Sequence, residues 1–455
     1  MLKRLLIFFL IGIVTSILGI FFILIRLRKE KIIDKTKTVY IDRTDHGFQL
    51  IRNKNLFVIQ GASGNSHLKE LADIGGNTIR LYDTINLANY LNEAQKNGLA
   101  VIVDIPIPGY NKNYNAYEDE NHNKLLKQKI KSLITEHKNH PALLMWNLGN
   151  EIGYPFVFWE NSFMRNFNEI IEIIHQLDPN HPVGTAIPSS SKKQTLSIYY
   201  HSPKIDLVSY NIFGNIKNLT SEISNLSYFT GSKPYYLSEW GNDGPWEHTF
   251  TSWDAPIEPT STKKIEQLTI RYKNISNNIQ KGCLGSLVFF WGQKQESTHT
   301  WFSLFGDNNS KSEIIPELES IWTASNYNRN KIDLDYMLVD NQSSLKNIVF
   351  SPSEKKIAEI VFSTPKKDSL NIKWEIYPEA WNYRRWGYGD MEIKPKKVIT
   401  RFEDFAKHKT LFVTPTKEGP YRIFAYIYDQ DGYYATTNIP FYVLNDKSKP
   451  YEASK

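Results

Sequence analysis

The chain has 455 residues, 41% hydrophobic, 22% charged and 13% aromatic, which is ordinary globular composition and excludes wholesale disorder or collagen-like repeats. A single cysteine, Cys283, excludes a disulfide scaffold and a cysteine-based zinc site. The formal net charge of +6 resides in residues 1–37, which hold eight Lys/Arg and two acids, so the other 418 residues are neutral and offer no basic excess for nucleic acid.

Residues 5–25 carry no charge. As a helix rising 1.5 Å per residue they span a hydrocarbon core of roughly 30 Å. A cleaved signal peptide has a shorter apolar run and a small-residue cleavage site. Here the run ends in Arg26-Leu27-Arg28-Lys29. Residues 1–37 are therefore expected to be an uncleaved single-span membrane anchor with a basic flank.

Beyond a short linker, brief apolar runs alternate with amphipathic stretches, the pattern of βα units on a parallel sheet. The predicted strands are 56–61, 77–83, 100–105, 143–151, 182–187, 206–213, 234–241 and 285–292. Predicted helices cover 67–74, 86–97, 124–137, 158–177, 262–280 and 313–325, and the stretches after the fifth and sixth strands are weaker. Eight such units predict a (β/α)8 TIM barrel over 38–330. A doubly wound open sheet usually carries a Gly-rich phosphate turn, and there is no GxGxxG or Walker motif here.

From residue 331 the period becomes two, with predicted strands at 356–363, 370–377, 421–428 and 433–444. Asp429-Gln430-Asp431-Gly432 reads as a hairpin turn. Residues 331–445 are expected to form an immunoglobulin-like β-sandwich, and 446–455 a polar tail.

In such a barrel the chemistry sits at the C-terminal ends of the strands. The fourth predicted strand ends Trp146-Asn147-Leu148-Gly149-Asn150-Glu151, and the seventh ends Leu237-Ser238-Glu239-Trp240-Gly241. A glutamate where an apolar strand meets its loop is costly unless paired or used. Two carboxylates across a barrel mouth suit glycosidic bond cleavage, one as acid and the other as nucleophile, with carboxyl groups about 5 Å apart in a retaining enzyme. The nucleophile needs donors to stay ionised. Arg80 and Tyr210, at the ends of the second and sixth strands, are the candidates, and Asn150 is placed to bond a sugar hydroxyl. Taken singly, a strand-end glutamate is more often an exposed loop residue and an arginine a salt-bridge partner.

The Asn150-Glu151 pair behind Trp146, with Glu239-Trp240-Gly241, resembles the acid/base and nucleophile motifs of the retaining glycoside hydrolases with (β/α)8 barrels. The match is best to the catalytic barrel of glycoside hydrolase family 2, the β-galactosidase and β-glucuronidase family, over residues 46–325. The resemblance implies Glu151 as acid/base, Glu239 as nucleophile, Arg80 and Tyr210 as its orienting partners, Asn150 as a sugar ligand and Trp291 as an apolar platform. The Gly76–Tyr82 stretch is also similar to that of fungal β-1,3-glucanosyltransferases, which rely on disulfides. Trp240, Trp246, Trp253 and Trp301 are further candidates for lining a glycan cleft, and Trp381, Trp386 and Tyr388 for sugar contact or domain docking.

Eleven histidines with no HExxH and no tight cluster predict no metal site, and the reaction needs no cofactor. The expectation is a retaining glycosidase or transglycosylase acting on an oligo- or polysaccharide with a β-link. The alternative is a catalytically silent glycan-binding or scaffold protein of the cell envelope. The basic count after the span favours a cytoplasmic barrel. Glycan chemistry favours an extracytoplasmic one, and that is the side expected.

Overall fold

The structure, a computed structural model, describes residues 2–29, 31–45, 47–110, 114–325, 331–363, 370–380, 392–406 and 408–445. The polar tail and Trp381, Trp386 and Tyr388 lie outside them. The chain divides into two compact units: Met1–Ala72 with Asn77–Trp240 and Asn274–Leu287, and Asp73–Gly76 with Gly241–Lys273 and Val288–Lys455.

The first unit begins with one long apolar helix, α1 (Leu2–Arg28). By length and composition its Arg4–Arg28 portion is enough to cross a membrane; its most apolar stretch is not buried by the protein, while Leu27 in the last turn is. The predicted linker is instead a three-stranded antiparallel sheet of β1 (Val39–Thr44), β2 (Gly47–Arg52) and β3 (Asn55–Phe57). Asn53 and Lys54 join β2 to β3 with φ of 51° and 67°, the left-handed pair that a two-residue hairpin turn requires. The run 56–61 was thus two elements, because β3 ends at Phe57 and the first barrel strand starts at Ile59.

The barrel closes through eight strands, β4 (Ile59–Gly64), β5 (Thr78–Leu81), β6 (Ala100–Ile105), β7 (Leu143–Asn150), β8 (Val183–Pro188), β9 (Leu207–Asn211), β10 (Tyr235–Trp240) and β11 (Gly285–Trp291). The pairings from β4 through β10 are parallel. Between them run α2 (Leu68–Asp73), α3 (Leu87–Lys96), α4 (Glu120–His137), α5 (Ser162–Leu177), α6 (Lys192–His201), α7 (Leu219–Thr230) and α8 (Ser261–Ile279), and α9 (Ile314–Thr323) follows β11. Helix α5 shows why the periodicity was readable. Phe163, Phe167, Ile170, Ile171 and Ile174 recur at three- and four-residue spacing and are fully buried, each worth roughly 1.5–3 kcal/mol. Its start is set by Asn161, whose side chain accepts from the Met164 amide at 3.0 Å. The weaker sixth and seventh helices, α6 and α7, are nevertheless formed. Val39 and Leu50 of the small sheet join Ala100, Leu144, Leu207 and Leu284 in one core at the N-terminal ends of the strands. That end is plugged, and the polar layer lies at the other.

The second unit carries two sheets. One has the order β12 (Lys311–Ser312), β20 (Tyr433–Val443), β19 (Gly419–Tyr428), β16 (Asn371–Pro378), with β14 (Val349–Phe350) also on β20. The other has the order β13 (Leu334–Val339), β15 (Lys355–Phe362), β18 (Lys409–Val413), β17 (Phe402–Ala406). Met337, Ile360 and Phe412 of one sheet share a core with Trp374, Ile423 and Phe441 of the other. The hairpin turn stands where its residues predicted: the Asp429 carboxylate accepts from the Asp431 and Tyr433 amides at 2.9 Å, and Gly432 has φ 84°. Within this unit Glu258 is buried against Lys264 at 2.5 Å, the hydroxyls of Thr298 and Thr300, and Asn438 on β20. Arg422 on β19 donates to both Glu379 and Asn438. Every charge in this network is paired, which is the condition for burying it.

Candidate active site

At the C-terminal ends of the barrel strands in the first unit, one guanidinium organises the polar side chains. Arg80, on β5, is fully buried. Its Nε and Nη2 donate to the two oxygens of Asp104 on β6 at 3.0 and 2.7 Å. Nη1 donates to Glu239 Oε1 at 3.1 Å, and Nη2 also reaches Asn150 Oδ1 at 2.8 Å. Burial alone opposes its charge, but Asp104, Tyr82 and Glu239 surround it with negative potential and hold its pKa well above the ordinary arginine value.

Glu239 is the penultimate residue of β10 and is buried. Its Oε1 accepts from Arg80 and from the Tyr82 hydroxyl at 2.9 Å. Burial, together with the adjacent Glu239, pushes Tyr82 well above the usual phenol range. It therefore remains a proton donor to the carboxylate. Glu239 thus takes two donors on one oxygen, one of them cationic.

Glu151 follows β7 directly. Its Oε1 accepts from the neutral amide of Asn211, at the end of β9, at 2.8 Å. The same Asn211 nitrogen lies 3.0 Å from Asn150 Oδ1, and its oxygen accepts from Ser238 at 2.7 Å. A continuous path thus runs Glu239–Arg80–Asn150–Asn211–Glu151. Because Asn150 Oδ1 accepts from both neighbours, its amide nitrogen is turned the other way, as a donor on an exposed residue.

Local backbone makes this possible. The β7–β8 register shifts between Asn147 and Asn150. Gly149 sits at φ 75°, where an added Cβ would lie 2.4 Å from Ile152 Cγ2, and Glu151 itself takes φ 49°. Glycine is needed at the first position, and a left-handed glutamate is unusual enough to mark a strained, positioned residue.

The expected residues are only partly gathered. Arg80, Asn150, Glu151 and Glu239 form one network. Tyr210 stands elsewhere: its ring lies 5.8 Å from Tyr235 and its hydroxyl meets Thr195 on α6. The reason is the two-residue period of a strand. Asn211 points into the barrel, so Tyr210 points out toward the helices. The tyrosine on Glu239 is Tyr82. The same alternation buries Trp240 completely beside Glu239. In the second unit Trp291 is fully buried with its ring edge-on to Phe305 at 5.1 Å. Trp253 packs on Tyr442, and Trp301 is buried and donates to the Asp243 carbonyl. None of these four rings has surface open to a sugar. Trp246 is exposed.

Sequence reasoning missed Asp104, Tyr82 and Asn211 as parts of the site. Asp104 was visible as an acid inside the apolar run Val101-Ile102-Val103-Asp104-Ile105, a position too costly for an unpaired charge. Asn211 had the same strand-end signal that singled out Asn150.

Comparison with known proteins bears on this geometry. Residues 64–247 match the family model of the glycosyl hydrolases family 2 TIM barrel domain. A β-glucuronidase of Paenibacillus borealis is 23% identical over 226 residues, which are 45% of this chain and 35% of that protein. The chain therefore spans about a third of that relative. A β-galacturonidase of Eisenbergiella tayi, solved with galacturonate, superposes with a TM-score of 0.51 at 16% identity, covering 64% of this chain and 55% of that one. A β-D-glucuronidase of Dictyoglomus thermophilum gives a TM-score of 0.49 at 20% identity, covering 63% and 54%. The Eisenbergiella likeness carries the fold alone. With the closed eight-stranded barrel and the match over 64–247, this chain is most similar to the catalytic barrel of glycoside hydrolase family 2.

Proposed function

We propose that the protein is a retaining glycosidase, or a transglycosylase of the same mechanism, acting on a β-linked glycan. The observation that carries the reading is the pair of strand-end glutamates joined by one hydrogen-bonded path, with a buried cation on Glu239. Glu239 takes a cation and a phenol hydroxyl on one oxygen, the donors a carboxylate nucleophile needs, and Glu151 accepts from the Asn211 amide. Glu239 is the nucleophile and Glu151 the general acid. In the first step Glu239 attacks the anomeric carbon, the glycosidic C–O bond breaks, and the Glu151 proton goes to the leaving oxygen. In the second, Glu151 takes a proton from water or an acceptor hydroxyl, which displaces Glu239 from the sugar. Asn150, through its outward amide, holds the hydroxyl beside the reacting carbon.

The names of the relatives put β-uronides first among the sugars to test. Residues 5–25 are proposed as a single-pass anchor with the barrel (38–330) on the extracytoplasmic side, and 331–445 as an immunoglobulin-like accessory domain.

The test uses the full chain in detergent with aryl β-glycosides. Glu239→Gln should abolish turnover of all of them while binding survives. Glu151→Gln should lose far more on poor leaving groups than on activated ones, because only the former need an acid. Equal losses for both variants on both substrates would sink the role assignment.

A further inference from the structure

The face of the barrel that receives α1 carries an exposed aromatic surface that the glycosidase reading does not use. The loop from β7 to α5 presents Phe156, Phe158 and Trp159 with 60%, 66% and 76% of their surface exposed. At the C-terminal end of α7, Tyr228 and Phe229 are 72% and 52% exposed. Free aromatics of this size on a soluble surface are uncommon unless something covers them.

Both groups border the last turn of α1. Arg26 donates to the Tyr200 carbonyl at 2.8 Å, with its guanidinium 4.8 Å from the Tyr200 ring centroid. The neighbouring His201 ring nitrogen lies 3.0 Å from the Val157 carbonyl oxygen, inside the aromatic loop. Arg26 and Glu160 line one cavity of about 310 Å³. Arg28 donates to the Tyr228 carbonyl. Lys31 then pairs with Asp206 at 2.8 Å, and the Lys29 carbonyl accepts from Lys233 at 3.1 Å.

These contacts leave no slack. The apolar run ends at Ile25, and the next residue is already bound to the barrel. At 1.5 Å per residue, the face around the helix exit cannot stand away from the surface the helix leaves. Trp, Tyr and Phe favour the headgroup level of a bilayer, and Arg26, Arg28, Lys29 and Lys31 favour anionic headgroups there.

We propose that Phe156–Trp159 and Tyr228–Phe229 form a second, interfacial membrane contact that seats the barrel on the bilayer its own helix crosses. The inference rests on the reading of residues 5–25 as a span. The contacts of residues 26–31 fix the barrel to the helix; a patch on the β7–α5 loop and the end of α7 fixes how that joined body tilts against the bilayer.

The experiment uses the full chain in vesicles of phosphatidylcholine and phosphatidylglycerol. A thiol-reactive fluorophore is placed at Trp159→Cys, Phe229→Cys, Ile17→Cys in the span and Leu125→Cys on α4. The native Cys283 is buried with its thiol pushed up to about 12, so it stays unlabelled. Lipids bearing a nitroxide either near the headgroup, for the loop and α7 probes, or deep in the acyl chain, for Ile17, then quench whatever lies at that depth. The Trp159 and Phe229 probes should lose emission roughly twofold, as groups buried at the acyl boundary do, while Leu125 is unchanged. Quenching at Ile17 with Trp159 and Phe229 behaving like Leu125 would overturn the proposal and leave the span intact. No quenching at Ile17 would overturn the span, and the proposal with it.

Discussion

Arg80 Nη1 lies 3.1 Å from Glu239 Oε1, and the same guanidinium binds both oxygens of Asp104. One buried cation thus serves two acids, fixed by one and available to the other. Arg80→Lys keeps the charge but cannot make the fork. It should lower kcat about 10²-fold or more, the usual cost of losing a charge-stabilising donor. Arg80→Ala should also destabilise the barrel by about 3–5 kcal/mol, because Asp104 is left buried and unpaired. Activity with thermal unfolding separates the two effects. A fully active Arg80→Lys would show that Glu239 does not depend on the arginine.

Tyr82→Phe removes the second donor on Glu239 without creating a cavity. Activity should fall roughly 10-fold or more with unfolding temperature nearly unchanged, one hydrogen bond to a charged group being worth about 1.5–3 kcal/mol. Because burial and Glu239 raise the Tyr82 pKa, it stays protonated through the ordinary phenol range near pH 10. Any alkaline limb in the pH–rate profile should therefore be unchanged in Tyr82→Phe. Loss of such a limb in the variant would contradict the assignment.

Gly149→Ala tests the backbone behind Glu151. The new Cβ meets Ile152 at a conformation L-residues avoid. A stability loss of about 1–3 kcal/mol is expected, with a fall in kcat as Asn150 and Glu151 shift. Measured kcat equal to wild type would mean the turn adapts without moving the acid.

The second unit should be acid-sensitive through His299. Burial, and then Lys394, lower its pKa to about 3. Its ring lies against Tyr377 and Phe424, and Nε2 is 2.5 Å from the Tyr426 hydroxyl. The unfolded value is about 6.5, so between these the unfolded chain binds the extra proton. This stabilisation is complete above about pH 6.5 and is lost as pH falls toward 3, by up to about 1.4 kcal/mol per unit. Thermal unfolding of His299→Phe at pH 7 and pH 4 should show a smaller drop than wild type. An equal drop would place the acid sensitivity elsewhere.

The barrel was legible because helices such as α5 carry their period in large apolar residues and the strands are short apolar runs. The sheet of β1–β3 was not, since a hairpin turn of Asn53-Lys54 lacks the usual glycine and its strands are mostly half-exposed. Within the site, strand ends pointed to Arg80, Asn150, Glu151 and Glu239. What failed was side-chain direction. Choosing Tyr210 over Asn211 is a one-residue error that moves a side chain from the barrel interior to its helix-facing side. Tyr82 was visible in Thr78-Ile79-Arg80-Leu81-Tyr82, two residues past the arginine and on its face.

The most direct test is to incubate the full chain in detergent with a panel of 2-fluoro-glycosyl inactivators and measure intact mass, then map the adduct. A retaining enzyme accumulates the glycosyl-enzyme, so the mass should rise by one fluoroglycosyl group located on Glu239, and Glu239→Gln should not label. An adduct on another carboxylate, or none in folded protein that turns over the matching glycoside, would contradict the account.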